Sequence, residues 1–371
     1  MYYADEYAQK IIDSKSIVIY GARIVAKEVA NCLLMNPYNR EIDAFMVSSK
    51  DGNPEYFMGK PVVTICEGCE SYKQSLILVS VLERYIPEIK NNLESYGFQN
   101  VLYLGFESDL WSCIRGNCFR EICINKYGVY KAFEDEIRKK CSDSNASVSI
   151  FAAKCHVDKE LNDKRVYPFE KQIQVGTSLT DKIVCDIRDN MGDNISDKNK
   201  KYCELTALYW IWKNDSSDYK GLCHYRRHFD FTPDMVEKLP CSAIDVVVTI
   251  PILNFPSVRE MYQNDHSIED WDIMLGVLKE IHPDYIDTAI ELQDGIYYYA
   301  YNMFIARREI YDEYCSWLFP ILFECEKRIK PKEDGYQGRV IGFLAERLLS
   351  VFFLHNWNRW NIVHAKKNFL M

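Results

Sequence analysis

The chain has 371 residues, about twice the usual single-domain length, so two cores are expected. Its 48% hydrophobic and 27% charged residues exclude a disordered, collagen-like or coiled-coil chain. Lys and Arg number 45 against 54 Asp and Glu, a formal charge of −9 with no basic block to outweigh it locally, so nucleic acid is not an expected partner.

The first residues, Met1 to Ser16, carry acids where a secretion signal has basic residues and an apolar run, and are not read as one. The apolar stretches Leu76 to Leu82 and Val351 to Leu354 are too short to cross a membrane. Fourteen scattered cysteines then fit buried free thiols in a reducing cytoplasm better than a disulfide scaffold. Cys66-Glu-Gly-Cys69 has the spacing of half a zinc site, but no second pair follows, so it is not assigned a metal.

Strand and helix signals alternate from residue 16 to 105. They run Ser16 to Tyr20, helix Ile24 to Leu34, Ile42 to Val47, Ser75 to Val79, helix Ile86 to Tyr96, and Val101 to Leu104. Alternation of this kind predicts a parallel sheet with helices, a Rossmann-like unit assigned here to residues 1–125. Its first turn, Gly21-Ala-Arg-Ile-Val-Ala26, occupies the place of a dinucleotide fingerprint, yet Arg23 stands at the second glycine position. A side chain there obstructs the backbone approach to a pyrophosphate, so tight NAD binding is not expected. A charged helical stretch and the polar run Ser142 to Ser147 mark the change of domain.

A second α/β unit, assigned to residues 126–371, begins with the strand Val148 to Ala152. Lys171 to Val175 and Lys182 to Cys185 read as strands, Lys200 to Lys213 as one helix that Asn194 or Ser196 can cap, and Tyr219 to Cys223 and Asp245 to Thr249 as strands. The pattern becomes mainly helical over 257–290 and 307–354.

The densest cluster of chemistry is Gly221-Leu-Cys-His-Tyr-Arg-Arg-His-Phe-Asp230, at the carboxyl end of a strand, where open α/β sheets bind ligands. His224, Arg226 and Arg227 there suit a phosphate-bearing ligand, because guanidinium groups stay charged and donate bidentately. An interdomain salt-bridge network is the other reading of these cations. Glu204, among Cys203, Leu205 and Leu208, needs a basic or hydroxyl neighbour if buried. Glu346 and Arg347 pose the same question in the apolar helix Ile341 to Ser350, where an internal ion pair and a catalytic acid are both open. Asn302, in Tyr301-Asn-Met-Phe-Ile305 after the aromatic run Tyr297 to Tyr299, suits a sugar site or a plain buried strand.

Together with Asp193-Asn-Ile-Ser196, Tyr202 to Asn214, Tyr314 to Leu322 and Arg339-Val-Ile-Gly-Phe-Leu-Ala-Glu-Arg-Leu348, these runs closely resemble the domain-of-unknown-function 4422 family over residues 148–360. That family looks like GT-A-type glycosyltransferases of bacterial capsule, exopolysaccharide and lipopolysaccharide synthesis. The N-terminal residues 14–105 look like Rossmann-like modules attached to some polysaccharide enzymes. The resemblance implies a cytoplasmic enzyme at the inner face of the cell membrane that moves a hexose, galactose or galactofuranose, from a UDP-sugar to a lipid-linked glycan.

The resemblance also implies site residues. Phe151, Ala152, Ala153 and Lys154 would border the base and ribose, with Gln174, Val175 and Gly176 nearby, and Asn194, Ser196 and Asn199 join them as donor contacts. His224, Arg226 and Arg227 would face the diphosphate or sugar, and Tyr299, Asn302 and Arg339 the sugar or acceptor. A GT-A enzyme holds Mn²⁺ or Mg²⁺ with an Asp-x-Asp motif, but His224-Tyr-Arg-Arg227 takes that place here, so no metal ligand is assigned. The literal match Asp270-Trp-Asp272 reads as a helix N-terminus.

Transfer needs a base for the acceptor hydroxyl, and Glu346, Glu204 and Asp230 are the candidates, in that order. A non-catalytic nucleotide-sugar or carbohydrate binding subunit of an assembly complex is the alternative. An oxidoreductase or epimerase is disfavoured by Arg23 and by the want of a suitably placed Tyr-x-x-x-Lys.

Overall fold

The computed structural model describes residues 5–139, 145–163 and 165–371. Part of the polar run read as a domain boundary, residues 142–144, lies outside them. The chain divides into two compact units, Met1–Tyr130 and Lys131–Met371.

In the first unit, six strands form β1 (Ile17–Tyr20), β2 (Ala44–Val47), β3 (Tyr56–Phe57), β4 (Lys60–Thr64), β5 (Leu76–Val79) and β6 (Val101–Tyr103). Their order is β3-β4-β2-β1-β5-β6, parallel throughout except for the edge pair β3–β4. Setting aside β3, the order is that of a Rossmann sheet. The near-continuous apolar strands explain why: β1, β2 and β5 are buried at every position, as parallel strands covered by helices must be. Gly21 has φ +126, and a Cβ there would lie 2.6 Å from the Ser80 carbonyl oxygen of the neighbouring strand, so the first turn needs glycine. Arg23 precedes the helix Ile24–Leu34, and its guanidinium donates to the Gly52 carbonyl at 2.6 Å. The hairpin β3–β4 and the helix Ile65–Ser71 were not legible from the sequence. That helix carries Cys66 and Cys69, and the Cys69 thiol donates to the Cys66 carbonyl.

The second unit is built on β7 (Val148–Lys154), β8 (Glu170–Gln174), β9 (Ile187–Arg188), β10 (Tyr219–His224), β11 (Arg227–Phe229), β12 (Val246–Thr249), β13 (Ile252–Leu253), β14 (Tyr297–Tyr298), β15 (Phe304–Arg307), β16 (Ile362–Ala365) and β17 (Lys367–Phe369). Nine of them make one mixed sheet, β16-β12-β15-β10-β7-β8-β9, with β11 added to β10 and β17 to β11. The strands β10, β7, β8 and β9 run parallel, whereas β15 is antiparallel to β10 and β12. Parallel register sets His224 beside Ala153 at the carboxyl ends of β10 and β7. The long helices Arg308–Arg328 and Val340–His355 supply much of the apolar core, including Tyr314, Leu318, Leu344 and Leu348. No helix among the described residues is long and apolar enough to cross a membrane.

Three readings of the second unit are corrected by the structure. Lys182 to Cys185 is not a strand; the buried Gln174 amide holds it instead, donating to the Lys182 carbonyl and accepting from Val184 N. The helix Lys200 to Lys213 is two helices, Asn199–Tyr202 and Leu205–Asn214, broken where Cys203 turns left-handed at φ +50. Asn199 Nδ2 donates to the Cys203 carbonyl at 2.7 Å and so holds the break. Neither Asn194 nor Ser196 caps a helix: Asn194 closes its own turn onto Gly192 and Ser196, and Ser196 donates to Asp189. The acids of Asp270-Trp-Asp272 lie in the first turns of the helix Ile268–Ile281, as read.

Candidate active site

At the carboxyl ends of β7 and β10 the second unit opens into a cavity of about 730 Å³. Its floor is Ala153 and His224; Val175, Asn199 and Glu204 form one side; Arg226, Arg227 and Arg339 supply charge; and the segment Ile329–Ile341 forms its rim. Three guanidinium groups in one concave site fit an anion. The Arg226 side chain makes no ion pair among the described residues, its Nε is buried without a partner, and its guanidinium lies over the rings of Tyr225 and Phe369. Arg227 lies over Tyr301 at 4.4 Å. Arg339 Nε donates to Cys203 Sγ at 3.1 Å.

Behind the cations stands a buried acidic pair. Glu204 reaches the cavity and accepts from Asn302 Nδ2 at 2.7 Å; burial raises its pKa, against the pull of Asn302, Arg339 and Arg227. Glu346 accepts from the backbone N–H of Tyr301 at 2.8 Å and pairs with Arg347 at 2.9 Å. Burial also raises Glu346, with the Glu204 charge adding to it and Arg347 opposing. His224 donates from Nε2 to the Tyr301 carbonyl at 2.6 Å, since a carbonyl can only accept. Burial, reinforced by Arg227, holds His224 neutral with a pKa of about 3.

These three residues converge on one turn. Tyr301 and Asn302 are consecutive non-glycine residues at φ +72 and +51, a conformation that costs free energy and persists only where surroundings fix it. Here His224, Glu346 and Glu204 fix it, so Tyr301-Asn302 is a strained turn rather than a continuous strand.

The structure brings together Ala153, Val175, Asn199, Glu204, His224, Arg226, Arg227 and Arg339 around the cavity, with Gly176 against Asn199 and with Asn302 and Glu346 one hydrogen bond behind. Lys154 does not line the cavity, although its carbonyl accepts from Val175 N. It does not bring in the other residues assigned from sequence. Phe151 and Ala152 are buried in the sheet, and Gln174 is spent on the 182–184 segment. Asn194 and Ser196 are turned to the turn and to Asp189. Tyr299 is wholly buried and donates to His364 Nε2 at 2.9 Å. Asp230 is exposed beside β17, where it accepts from Asn368. Sequence reading missed Asp158, Lys200, Lys201, Glu326 and the rim from Ile329 to Gly338, whose Lys, Pro, Asp and Gly content reads as an ordinary solvated loop; of the rim it named Arg339.

Among the described residues no three metal-capable side chains cluster in this cavity. Asp270 pairs with Lys332 and Asp272 with Arg259. Glu326 holds Lys198, Lys201 and the Tyr202 hydroxyl, and Asp158 accepts from Cys155 N. Mn²⁺ and Mg²⁺ want several oxygen ligands, not guanidinium neighbours. Among the described residues the metal-capable side chains that cluster are Glu170, Cys223 and His228, outside the cavity lining, with His228 Nδ1 and Glu170 already hydrogen-bonded at 2.6 Å.

The Domain of unknown function (DUF4422) family matches residues 150–357, more than half of the chain. The chain belongs to this family. A solved structure described as the apo form of WbbM, a bifunctional glycosyltransferase, aligns with a TM-score of 0.54 and 25% identity, covering 60% of this chain and 45% of that one. Over the matched part the two share an α/β, GT-A-like fold, and the DUF4422 chain spans less than half of that neighbour. No curated protein matches.

His364 gives this DUF4422 unit a pH signature. It lies fully buried between the Tyr299 hydroxyl and the Lys131 carbonyl, and burial lowers its pKa from the ordinary 6.5 to about 3. A folded value below the unfolded one means that neutral His364 contributes stability above pH 6.5 and that this is lost as the pH falls toward 3. By pH 5 the loss should reach about 2 kcal/mol. Urea unfolding at pH 7 and pH 5 should show it, and His364→Gln should shrink the difference by about that amount while the like contribution of His224 remains.

Proposed function

We propose that the second unit is a glycosyltransferase that uses a nucleoside-diphosphate sugar, with Arg226, Arg227 and Arg339 holding the diphosphate in place of a metal. The observation that carries this reading is the Arg226 guanidinium, half-buried at the end of β10 with a buried Nε and no ion pair among the described residues. Asp158 of the same cavity lies near enough to feel this charge but makes no ion pair with it, so an anionic ligand can engage the guanidinium directly. The likeness to a bifunctional glycosyltransferase supports the same reaction class.

In this reading Ala153, Val175 and Asn199 border the nucleoside, and the arginines neutralise the diphosphate as it leaves. The acid–base group is Glu204 rather than Glu346. Both are buried acids with raised pKa, which suits a general base. Only Glu204 lines the cavity, whereas Glu346 is engaged by Arg347 and the Tyr301 amide. Glu346 with His224 then shapes the Tyr301-Asn302 turn. The proposal extends to a hexose, galactose as pyranose or furanose, carried on UDP, and to a lipid-linked glycan acceptor of a surface polysaccharide.

A thermal-shift panel of UDP, GDP, CDP and dTDP tests the binding half. At a hundred times its dissociation constant, the matching diphosphate should add about 2.7 kcal/mol of stability. The shift should be the same in EDTA as in Mn²⁺. A shift seen only with Mn²⁺ would overturn the metal-free reading.

A further inference from the structure

Two stretches of the chain that form one side of the cavity hang on one residue that does not line it. Asp189 follows β9, is 0% exposed, and among the described residues has no Lys, Arg or His as a hydrogen-bond partner. Its two oxygens accept four bonds: Oδ2 from Gly176 N at 2.8 Å and Thr206 Oγ1 at 2.7 Å, Oδ1 from Thr177 N at 3.0 Å and Ser196 Oγ at 2.5 Å. Four donors need four lone pairs, which a carboxylate has and a carboxamide has not. Thr206 Oγ1 in turn accepts from Asn199 Nδ2, the amide that holds the left-handed Cys203 just ahead of Glu204. Against the same Asn199, Gly176 at φ +66 follows the cavity residue Val175, and a Cβ on it would lie 2.6 Å from Asn199 Oδ1.

We infer that Asp189 is a positioning residue which, through Thr206 and Asn199, sets where the Glu204 carboxylate enters the cavity, while through Gly176 and Thr177 it fixes the Val175 part of the same side. Its consequence for turnover rests on the reading of Glu204 as acid–base group; the placement of Glu204 does not. The other groups facing Glu204 are Asn302, Arg339, Arg227, Glu346 and the Cys203 thiol, and none of them bonds Asp189 directly.

The test reads Glu204 directly, in the full chain without donor or acceptor. In protein labelled with ¹³C at the glutamate carboxyl carbons, the Glu204 resonance is assigned by its loss in Glu204→Gln and followed against pH, with Glu346 as the internal comparison. Thr206→Val keeps the side-chain shape and removes the hydroxyl. With the turn loosened and water admitted, the Glu204 midpoint should fall by about one pH unit or more while Glu346 moves much less. Thr206→Ser should restore it, and Asp189→Asn should reproduce the fall. A Glu204 midpoint that stays put or rises in both variants would overturn the inference, as would Glu204 and Glu346 moving together. Failure of both variants to fold would assign Asp189 to the fold alone and likewise overturn it. Loss of the glycosyltransferase reading would leave these titrations as they are, so the two failures can be told apart.

Discussion

Arg226→Ala and Arg227→Ala should each weaken nucleoside-diphosphate binding roughly 10- to 150-fold, the loss of one charge-assisted contact worth about 1.5–3 kcal/mol. The fold should survive. Arg226 makes no ion pair among the described residues, and what it contributes internally is stacking over Tyr225 and Phe369. Such contacts are worth about 0.5–2 kcal/mol, within reach of a stable domain. Arg227 stacks on Tyr301 and Phe369 and is expected to lose more stability. Calorimetric titration of the diphosphate that gives the largest thermal shift, beside a melting curve for each variant, separates the two effects. Unchanged affinity in both variants with normal melting would remove the diphosphate from the end of β10.

The second large effect separates the two buried glutamates. Glu204→Gln should lower turnover roughly a hundredfold or more with donor affinity retained, because the amide keeps the bond network near Asn302 but cannot take a proton. Glu346→Gln removes the partner of Arg347, a side chain 7% exposed whose guanidinium also lies over Tyr298 and Tyr262. Leaving that cation unpaired should cost about 3–5 kcal/mol of stability. A folded, stable Glu346→Gln variant with abolished turnover, next to a fully active Glu204→Gln, would exchange the two assignments.

Much of this was legible in the sequence, for identifiable reasons. The parallel strands β1, β2 and β5 announce themselves as continuous apolar runs, and His224, Arg226 and Arg227 as a knot of cations in an acidic chain. Glu204 and Glu346 stand out equally as acids among apolar neighbours, and local pattern cannot say which one faces the cavity. That is decided by Tyr301 and Arg347 turning to Glu346. Asp189 carries no local signal, because two of its four donors are backbone amides 12 and 13 residues upstream and the others are hydroxyls 7 and 17 residues downstream. Short antiparallel strands such as β11 and β17 are set by pairing across the sheet rather than by periodicity. Tyr299 looked like a sugar platform in an aromatic run, and its hydroxyl proved to be taken by His364.

Catalysis in the cavity is most directly tested by donor cleavage without acceptor. Incubated with UDP-, GDP-, CDP- and dTDP-hexoses in EDTA, the wild-type chain should slowly release free sugar and diphosphate from one of them, UDP-galactose being the expected one. Glu204→Gln should hold that same donor and release nothing. A wild-type chain that binds a nucleotide sugar through Arg226 yet cleaves none, with water or with added lipid-linked glycan, would contradict the account and make the unit a binding module.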